Sequence, residues 1–366
     1  MLGIIMAGGK GSRLFPLTEY RPKPLVDVLG IPVINYVKDA LTKLSIDELI
    51  VTTGYQGDSL AELVYSWNRN SDFVCSVNQE ANPMGTAGSV KLLEDKLEKT
   101  FVVASGDSIL SSDLAMVLKA HRDSNAAVTM ALWEVDNPTE YGIVGLSETK
   151  GGIVNGKLSE GYITKFLEKP SPTDAFSNVI NAGLYVIEPE VINHIPRGKK
   201  FDFSKELFPH LLQEGYTMYG VKLNGVWFDV GTPGELIKAQ NYLVHNSAEL
   251  PFKLPIGELT KDGGYLLQSS HSESPVVDSV LCENAFLGKN TECIESLLMK
   301  ASKVGDRCSI ISSIVGQNSS IGDDCSLINC VIGDNVKIPA GSILTEEKVS
   351  NGHRTVSYTH LTLPTR

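Results

Sequence analysis

The chemistry-bearing residues of this chain begin close to its amino terminus. An apolar run leads straight into Ala7-Gly8-Gly9-Lys10-Gly11-Ser12-Arg13-Leu14-Phe15-Pro16-Leu17-Thr18. Glycines let a backbone turn sharply and aim N–H groups at a phosphate with no Cβ in the way. Arg13 can neutralise a polyphosphate through the forked face of its guanidinium. The spacing matches neither the dinucleotide pattern G-x-G-x-x-G nor the P-loop. Alone it is equally well explained as a tight strand-to-helix turn. Next comes Arg21-Pro22-Lys23-Pro24-Leu25-Val26, one lysine between two prolines. Proline fixes φ, so this cation is held in place, which suits a phosphate that must sit still. Two carboxylates, Asp107 and Asp229, each follow an apolar run. An isolated aspartate at a strand end is most often a turn or cap residue.

The elements that must position these groups show in the hydrophobic pattern. Apolar runs at 2–7, 49–53, 101–104, 127–132 and 183–187 read as buried strands, and Ile34, Val37, Leu41 and Leu44 recur at helical spacing between the first two. That rhythm predicts an α/β domain over residues 1–245, with a doubly wound, mostly parallel sheet. Ligands of such sheets bind at the carboxyl ends of the strands, where the glycine-rich and acidic motifs fall. Residues 246–275, rich in proline, glycine and serine, read as a connection. Beyond them, cuts at Ser279, Ser296, Ser313 and Cys330 give consecutive 17-residue segments. They align Val280, Leu297, Ile314 and Val331 in one column. Leu287, Val304, Ile321 and Ile338 form a second, and Cys293, Ile310, Leu327 and Leu344 a third. Stacked copies would bury continuous apolar columns, predicting a parallel β-helix of four repeats over 276–346. A tail, 347–366, follows. From about residue 355 it reads as the end of a sequencing adapter rather than native sequence.

With 366 residues, 42% hydrophobic and 20% charged, the chain has the composition of a two-domain soluble protein. A formal net charge of −11 argues against a general nucleic-acid binder but not against a small anion held by a local cationic cluster. No apolar stretch approaches bilayer-spanning length, so no membrane partner is expected. The six cysteines form no C-x-x-C pair, and five fall at repeat positions, so buried reduced thiols and a cytoplasmic location are expected.

Taken together, G-G-x-G-[ST]-R-L-x-P-L-T and R-P-K-P-L-V resemble the signature of the sugar-phosphate nucleotidyltransferases, most nearly the mannose-1-phosphate guanylyltransferases. Ser12 stands where threonine is commoner and keeps the hydroxyl. The resemblance covers residues 1–245, and the repeats are similar to the left-handed β-helix that usually follows. It implies a Rossmann-like catalytic domain in which Ala7, Gly8, Gly9, Gly11, Ser12 and Arg13 hold the triphosphate and Lys23 contacts the reacting phosphates. In Gln79-Glu80-Ala81-Asn82-Pro83-Met84-Gly85-Thr86, Gln79 and the backbone of Gly85 and Thr86 would meet the base. Gly142, Glu168, Lys169 and Asn181 would bind the sugar phosphate, and Asp107 and Asp229 would ligate one Mg²⁺. The implied reaction is in-line attack of a sugar-phosphate oxygen on the α-phosphorus of an NTP. Arg13 would stabilise the departing pyrophosphate, and Lys23 and Lys169 would hold the acceptor. GTP and mannose 1-phosphate are the leading substrates, with glucose 1-phosphate and UTP, dTTP or ATP as the alternative. An added acetyltransferase would need a histidine on the β-helix, and the four repeats contain none. A non-catalytic regulatory paralogue would be expected to lose the glycine loop or an aspartate, and both are present. The β-helix edge suggests a homo-oligomer.

Overall fold

The computed structural model describes residues 1–54, 56–69 and 71–350, so the tail reading lies outside the described residues except for 347–350. The chain forms two compact units that do not follow simple chain order. The first comprises Met1–Gly9 and Ile34–Trp227; the second comprises Lys10–Val33 and the described residues from Phe228 on.

The first unit is built on a nine-stranded sheet. Its strands are β1 (Leu2–Met6), β2 (Glu48–Thr53), β3 (Val74–Gln79), β4 (Phe101–Ser105), β5 (Val128–Glu134), β6 (Gly142–Ser147), β7 (Glu160–Glu168), β8 (Val179–Ile187) and β9 (Met218–Lys222). Their spatial order is β3-β2-β1-β4-β8-β5-β9-β7-β6. β3, β2, β1 and β4 are parallel neighbours, whereas β8 and β7 run against the strands beside them. The central strands are apolar on both faces because both are covered: Ile4, Val103, Val128, Met130 and Ile187 are fully buried in one core with Phe203 and Phe208, and their neighbours Ile5, Val102 and Val186 are buried on the other face. Parallel pairing puts the ends of β1, β3 and β4 on one edge, delivering Ala7–Gly9, Gln79 and Asp107 there.

The second unit is a β-helix carrying the segment Lys10–Val33 and the helix Pro233–His245. Its strands stack into three sheets, and two of the apolar columns expected from the sequence, those of Leu287 and Cys293, are inward positions of their sheets. In the remaining sheet the inward column is Leu281, Leu298, Val315 and Ile332, so the expected Val280 column, one residue earlier, is buried on the opposite face. Val280 pairs with Leu297, Leu287 with Val304 and Cys293 with Ile310, and so on up the stack. Small residues turn the corners. Ser296 N–H donates to the Ser279 hydroxyl at 2.9 Å, Ser313 N–H to Ser296 at 3.1 Å, and Cys330 N–H to Ser313 at 3.0 Å. Cys308 and Cys330 thus occupy corners where other coils carry Ser or Thr, and all six cysteines are free and buried. Burial pushes the thiols of Cys282 and Cys293 well above their ordinary range.

Two boundaries differ from the sequence reading. Tyr265–Leu267 and His271–Ser272 pair in parallel with Val280–Leu281 and Phe286–Leu287, so the helix begins inside the stretch read as a connection. At the far end it continues to Lys348–Val349. His271 therefore sits on the first coil, where its exposed ring stacks on Phe286 with centroids 5.8 Å apart. Among the described residues no helix is long and apolar enough to cross a membrane.

Candidate functional site

In the first unit, the loop leaving β1 is pinned at its start by Ala7 N–H donating to Thr52 C=O at 2.8 Å. Gly8 and Gly9 then lie exposed. Asp107 occupies the turn after β4, its Oδ1 accepting from the Ser105 hydroxyl at 2.5 Å. Gly106 must be glycine there: a Cβ would stand 2.8 Å from Ile5 Cγ2 and 3.0 Å from Met6 C=O.

Gln79, expected to meet the base, ends β3 with its side chain exposed. Gly85 opens the helix Gly85–Lys91 at φ 72°, and a Cβ on it would meet Phe201 C=O at 2.6 Å. Phe201 C=O also takes the N–H groups of Ala87 and Gly88, both at 3.0 Å. The Thr86 hydroxyl donates to Asp202 Oδ2 at 2.9 Å and accepts from Phe203 N–H at 2.9 Å. Asp202 also caps the following turn of helix through Ser204 and Lys205 N–H. This aspartate was not singled out from the sequence, although Asp202 before Ser204-Lys205-Glu206 has the look of a helix start.

Strand register brings together the residues expected to bind the sugar phosphate. Glu168 of β7 pairs with Gly142 of β6, and Ile143 pairs with Ile180 of β8, which puts Asn181 next in line. The bareness of Gly142 has a clear cause: a Cβ would stand 2.7 Å from Glu168 Oε2 and 2.8 Å from the Phe166 ring. Asn181 is tied into the scaffold. Its Nδ2 donates to the Tyr185 hydroxyl at 2.8 Å and to Ser204 Oγ at 3.2 Å, and its Oδ1 accepts from Gly183 N–H at 2.9 Å. Burial first, and the Asp202 carboxylate second, push Glu168 above the usual carboxylate range against the pull of Lys169 and Lys205. Lys169 follows with a left-handed backbone, φ 46°, and an exposed ammonium 3.5 Å from Glu140.

In the second unit, Gly11 takes φ 62°, and its C=O accepts from Leu14 N–H at 2.9 Å and the Thr18 hydroxyl at 2.8 Å. This closes the short turn Ser12–Leu14 and leaves Ser12 and Arg13 exposed. Lys23 is buried, its side chain 9% exposed, with Nζ 3.0 Å from Asp229 Oδ1. Arg13 reaches the other carboxylate oxygen at 3.8 Å. Gly231 lies under this group, where a Cβ would stand 2.8 Å from the Arg13 guanidinium, 3.0 Å from Asp229 and 3.1 Å from Glu235. Residues assigned from the sequence to phosphate and to metal are therefore one ion-paired cluster. Glu235, not singled out, joins it from the first turn of the helix Pro233–His245. The signal was available as a capping box, Thr232-Pro233-Gly234-Glu235, whose Thr232 hydroxyl accepts from Glu235 N–H at 3.3 Å.

Mg²⁺ favours hard oxygen donors and retains water, so partly buried carboxylates at strand ends are the right chemistry for it. Asp107 and Asp229 are of that kind. Among the described residues no three His, Cys, Asp or Glu side chains gather to hold a metal. An ion held by either carboxylate would take its other ligands from water and phosphate.

Comparison with known proteins bears on the same residues. Residues 2–246 match the family model described as Nucleotidyl transferase, and residues 273–362 match the one described as GMPPB C-terminal domain. A mannose-1-phosphate guanyltransferase of Saccharomyces cerevisiae is 32% identical over 261 residues, 70% of this chain and 69% of the yeast protein. A mannose-1-phosphate guanylyltransferase of Mycobacterium tuberculosis is 32% identical over 68% of this chain and 66% of its own length. A UTP–glucose-1-phosphate uridylyltransferase of Synechocystis sp. is 30% identical over 63% of this chain; the chain spans 60% of that relative's length. Because the family match takes in the glycine turn, both aspartates and every segment expected to bind the sugar phosphate, the chain belongs to the nucleotidyl transferase family.

Proposed function

We propose that the protein transfers a nucleotidyl group from an NTP to a sugar 1-phosphate, releasing pyrophosphate, with GTP and mannose 1-phosphate as its preferred pair. The observation that carries this reading is the cluster of Arg13, Lys23 and Asp229 beside a glycine turn. Two polyanions must be brought together, so the work is charge neutralisation and alignment, with no protein nucleophile. The exposed Arg13 faces the departing pyrophosphate. Lys23, held rigid between prolines, and Lys169 receive the acceptor phosphate. Glu168 accepts from sugar hydroxyls beside the bare Gly142. Gln79 and the backbone at Gly85 and Thr86 meet the base. Asp107 and Asp229 are the residues that would hold Mg²⁺, which when bound supplies positive charge to the phosphates.

The guanylyltransferase relatives favour GTP and mannose 1-phosphate; the uridylyltransferase relative favours a second reading, UTP with glucose 1-phosphate. The proposal extends to a cytoplasmic enzyme that self-associates through its β-helix. A matrix of GTP, UTP, dTTP, ATP and CTP against mannose, glucose and glucosamine 1-phosphates, read by pyrophosphate release, tests it. The highest kcat/KM is expected for GTP with mannose 1-phosphate. A maximum elsewhere replaces the substrates, and no release in any cell of the matrix ends the reading.

A further inference from the structure

The segment that carries Arg13 and Lys23 is fastened to the coils of the β-helix at successive levels. The 17-residue period sets Glu283, Lys300, Gln317 and Asp334 in one outward column. Asp334 holds two partners: its Oδ2 pairs with the Arg21 guanidinium, and its Oδ1 accepts from Gln317 N–H at 2.7 Å. The Gln317 side chain donates in turn to Asp27 Oδ2 at 2.9 Å. A closed chain of contacts, Arg21 to Asp334 to Gln317 to Asp27, therefore brackets Lys23 on both sides. Two further contacts reach the glycine turn. Lys348 Nζ donates to Arg13 C=O at 3.2 Å, and Gly333 lies so close to Pro16 that a Cβ on it would stand 3.2 Å from the proline ring.

These fastenings are not loose surface pairs. The Arg21 and Asp334 side chains are 12% and 16% exposed, and Asp27 is half-buried. Charges taken out of water hold their geometry only when every partner is in place, and removing one leaves the other uncompensated. A lysine and an arginine that act by alignment need their backbone fixed to within a fraction of an ångström. We infer that Gln317, Asp334 and Lys348 of the β-helix are positioning residues of the reaction, setting the register of the Arg13–Lys23 segment. The β-helix is then part of the catalytic apparatus rather than an appended module. This rests on the proposed roles of Arg13 and Lys23.

The test uses the full chain, with pyrophosphate release under the best substrate pair. Asp334→Asn keeps the shape and removes the charge opposite Arg21. It is expected to lower kcat about tenfold or more, a displacement of about 1 Å being worth up to about 10²-fold, with KM changed less than threefold or so. The exchanged pair, Arg21→Asp with Asp334→Arg, is expected to recover much of what either single change loses. Lys348→Met, on an exposed side chain that folding does not require, is expected to cost about fivefold in kcat. Circular dichroism and the melting temperature accompany each variant. Wild-type kcat in both Asp334→Asn and Lys348→Met overturns the inference, as does a loss of activity that merely tracks the fraction unfolded. Arg13→Ala and Lys23→Ala separate the two levels. If both keep wild-type rates, the reading of the site fails; if both are inactive while the β-helix variants are normal, only the positioning role fails.

Discussion

At the scale of single residues, the glycines show what sequence identity alone does and does not convey. Gly142, expected to lie bare against a sugar, is bare because Glu168 and Phe166 leave no room for a methyl group. Asn181 was expected to offer its amide to sugar hydroxyls, whereas Thr86 was expected to use only its backbone. The Asn181 side chain is engaged with Tyr185 and Ser204, so whatever it gives a ligand is limited by those bonds, and the Thr86 hydroxyl is engaged with Asp202. No spacing rule could have shown this, since Thr86 and Asp202 are 116 residues apart. The aspartates carry the sharpest expectation at this scale. Asp107→Ala and Asp229→Ala should each lower kcat at least about 10²-fold, the effect of losing one preorganised electrostatic group. Near-normal pyrophosphate release from both variants would remove the metal assignment. Asp229→Ala has a second reason to be damaging, because it leaves the buried Lys23 without the carboxylate 3.0 Å away.

At the scale of elements, periodicity was the most legible signal in the chain. Inward positions recur every 17 residues because each coil must place one apolar side chain on each of three sheets. Ile310 sits in such a column between Cys293 and Leu327 and is fully buried. Ile310→Ala should therefore destabilise by about 2–5 kcal/mol, transfer and cavity terms together, measurable as a lower denaturation midpoint. A midpoint equal to wild type would mean that the column is not the stabilising core. The first coil escaped detection for a definable reason. Tyr265 pairs with Val280 and His271 with Phe286, intervals of fifteen rather than seventeen, while Val276 pairs with Cys293 at the regular interval. The shortening lies between His271 and Val276, and a gapless alignment cannot cross it. In the first unit, β1, β2, β4 and β5 were readable as apolar runs, whereas the half-exposed parallel strand β3 was not. β8 was readable too, through 183–187, but its reversed direction was not, because an apolar run carries no direction.

At the scale of the whole molecule, the two compact units divide the chain differently from the sequence. Residues 10–33 belong with the β-helix unit although they lie within the span that matches the catalytic family. Asp27, in this segment, gives a thermodynamic handle. Burial raises its pKa above the ordinary value, opposed by Arg21 and Gln317. A carboxyl group with a raised folded-state pKa binds its proton more tightly folded than unfolded. Its ionisation therefore costs stability as pH climbs above the unfolded value of about 3.9. Asp27→Asn, which stays neutral, should accordingly melt higher than wild type at neutral pH, with the gap closing as pH falls toward about 4. A gap that widens on acidification would contradict the burial account.

What the sequence determined by itself was everything local or periodic: the glycine turn, the proline-braced lysine, the aspartates after apolar runs, and the repeat that specifies the β-helix. These follow from backbone geometry and from side-chain burial at fixed spacing, which a short window contains. What the tertiary structure decided was which of these groups meet. Lys23 lies 206 residues from Asp229 and Arg21 lies 313 from Asp334. Contacts over such separations are set by how strands register and coils stack, through packing that the sequence encodes only in sum.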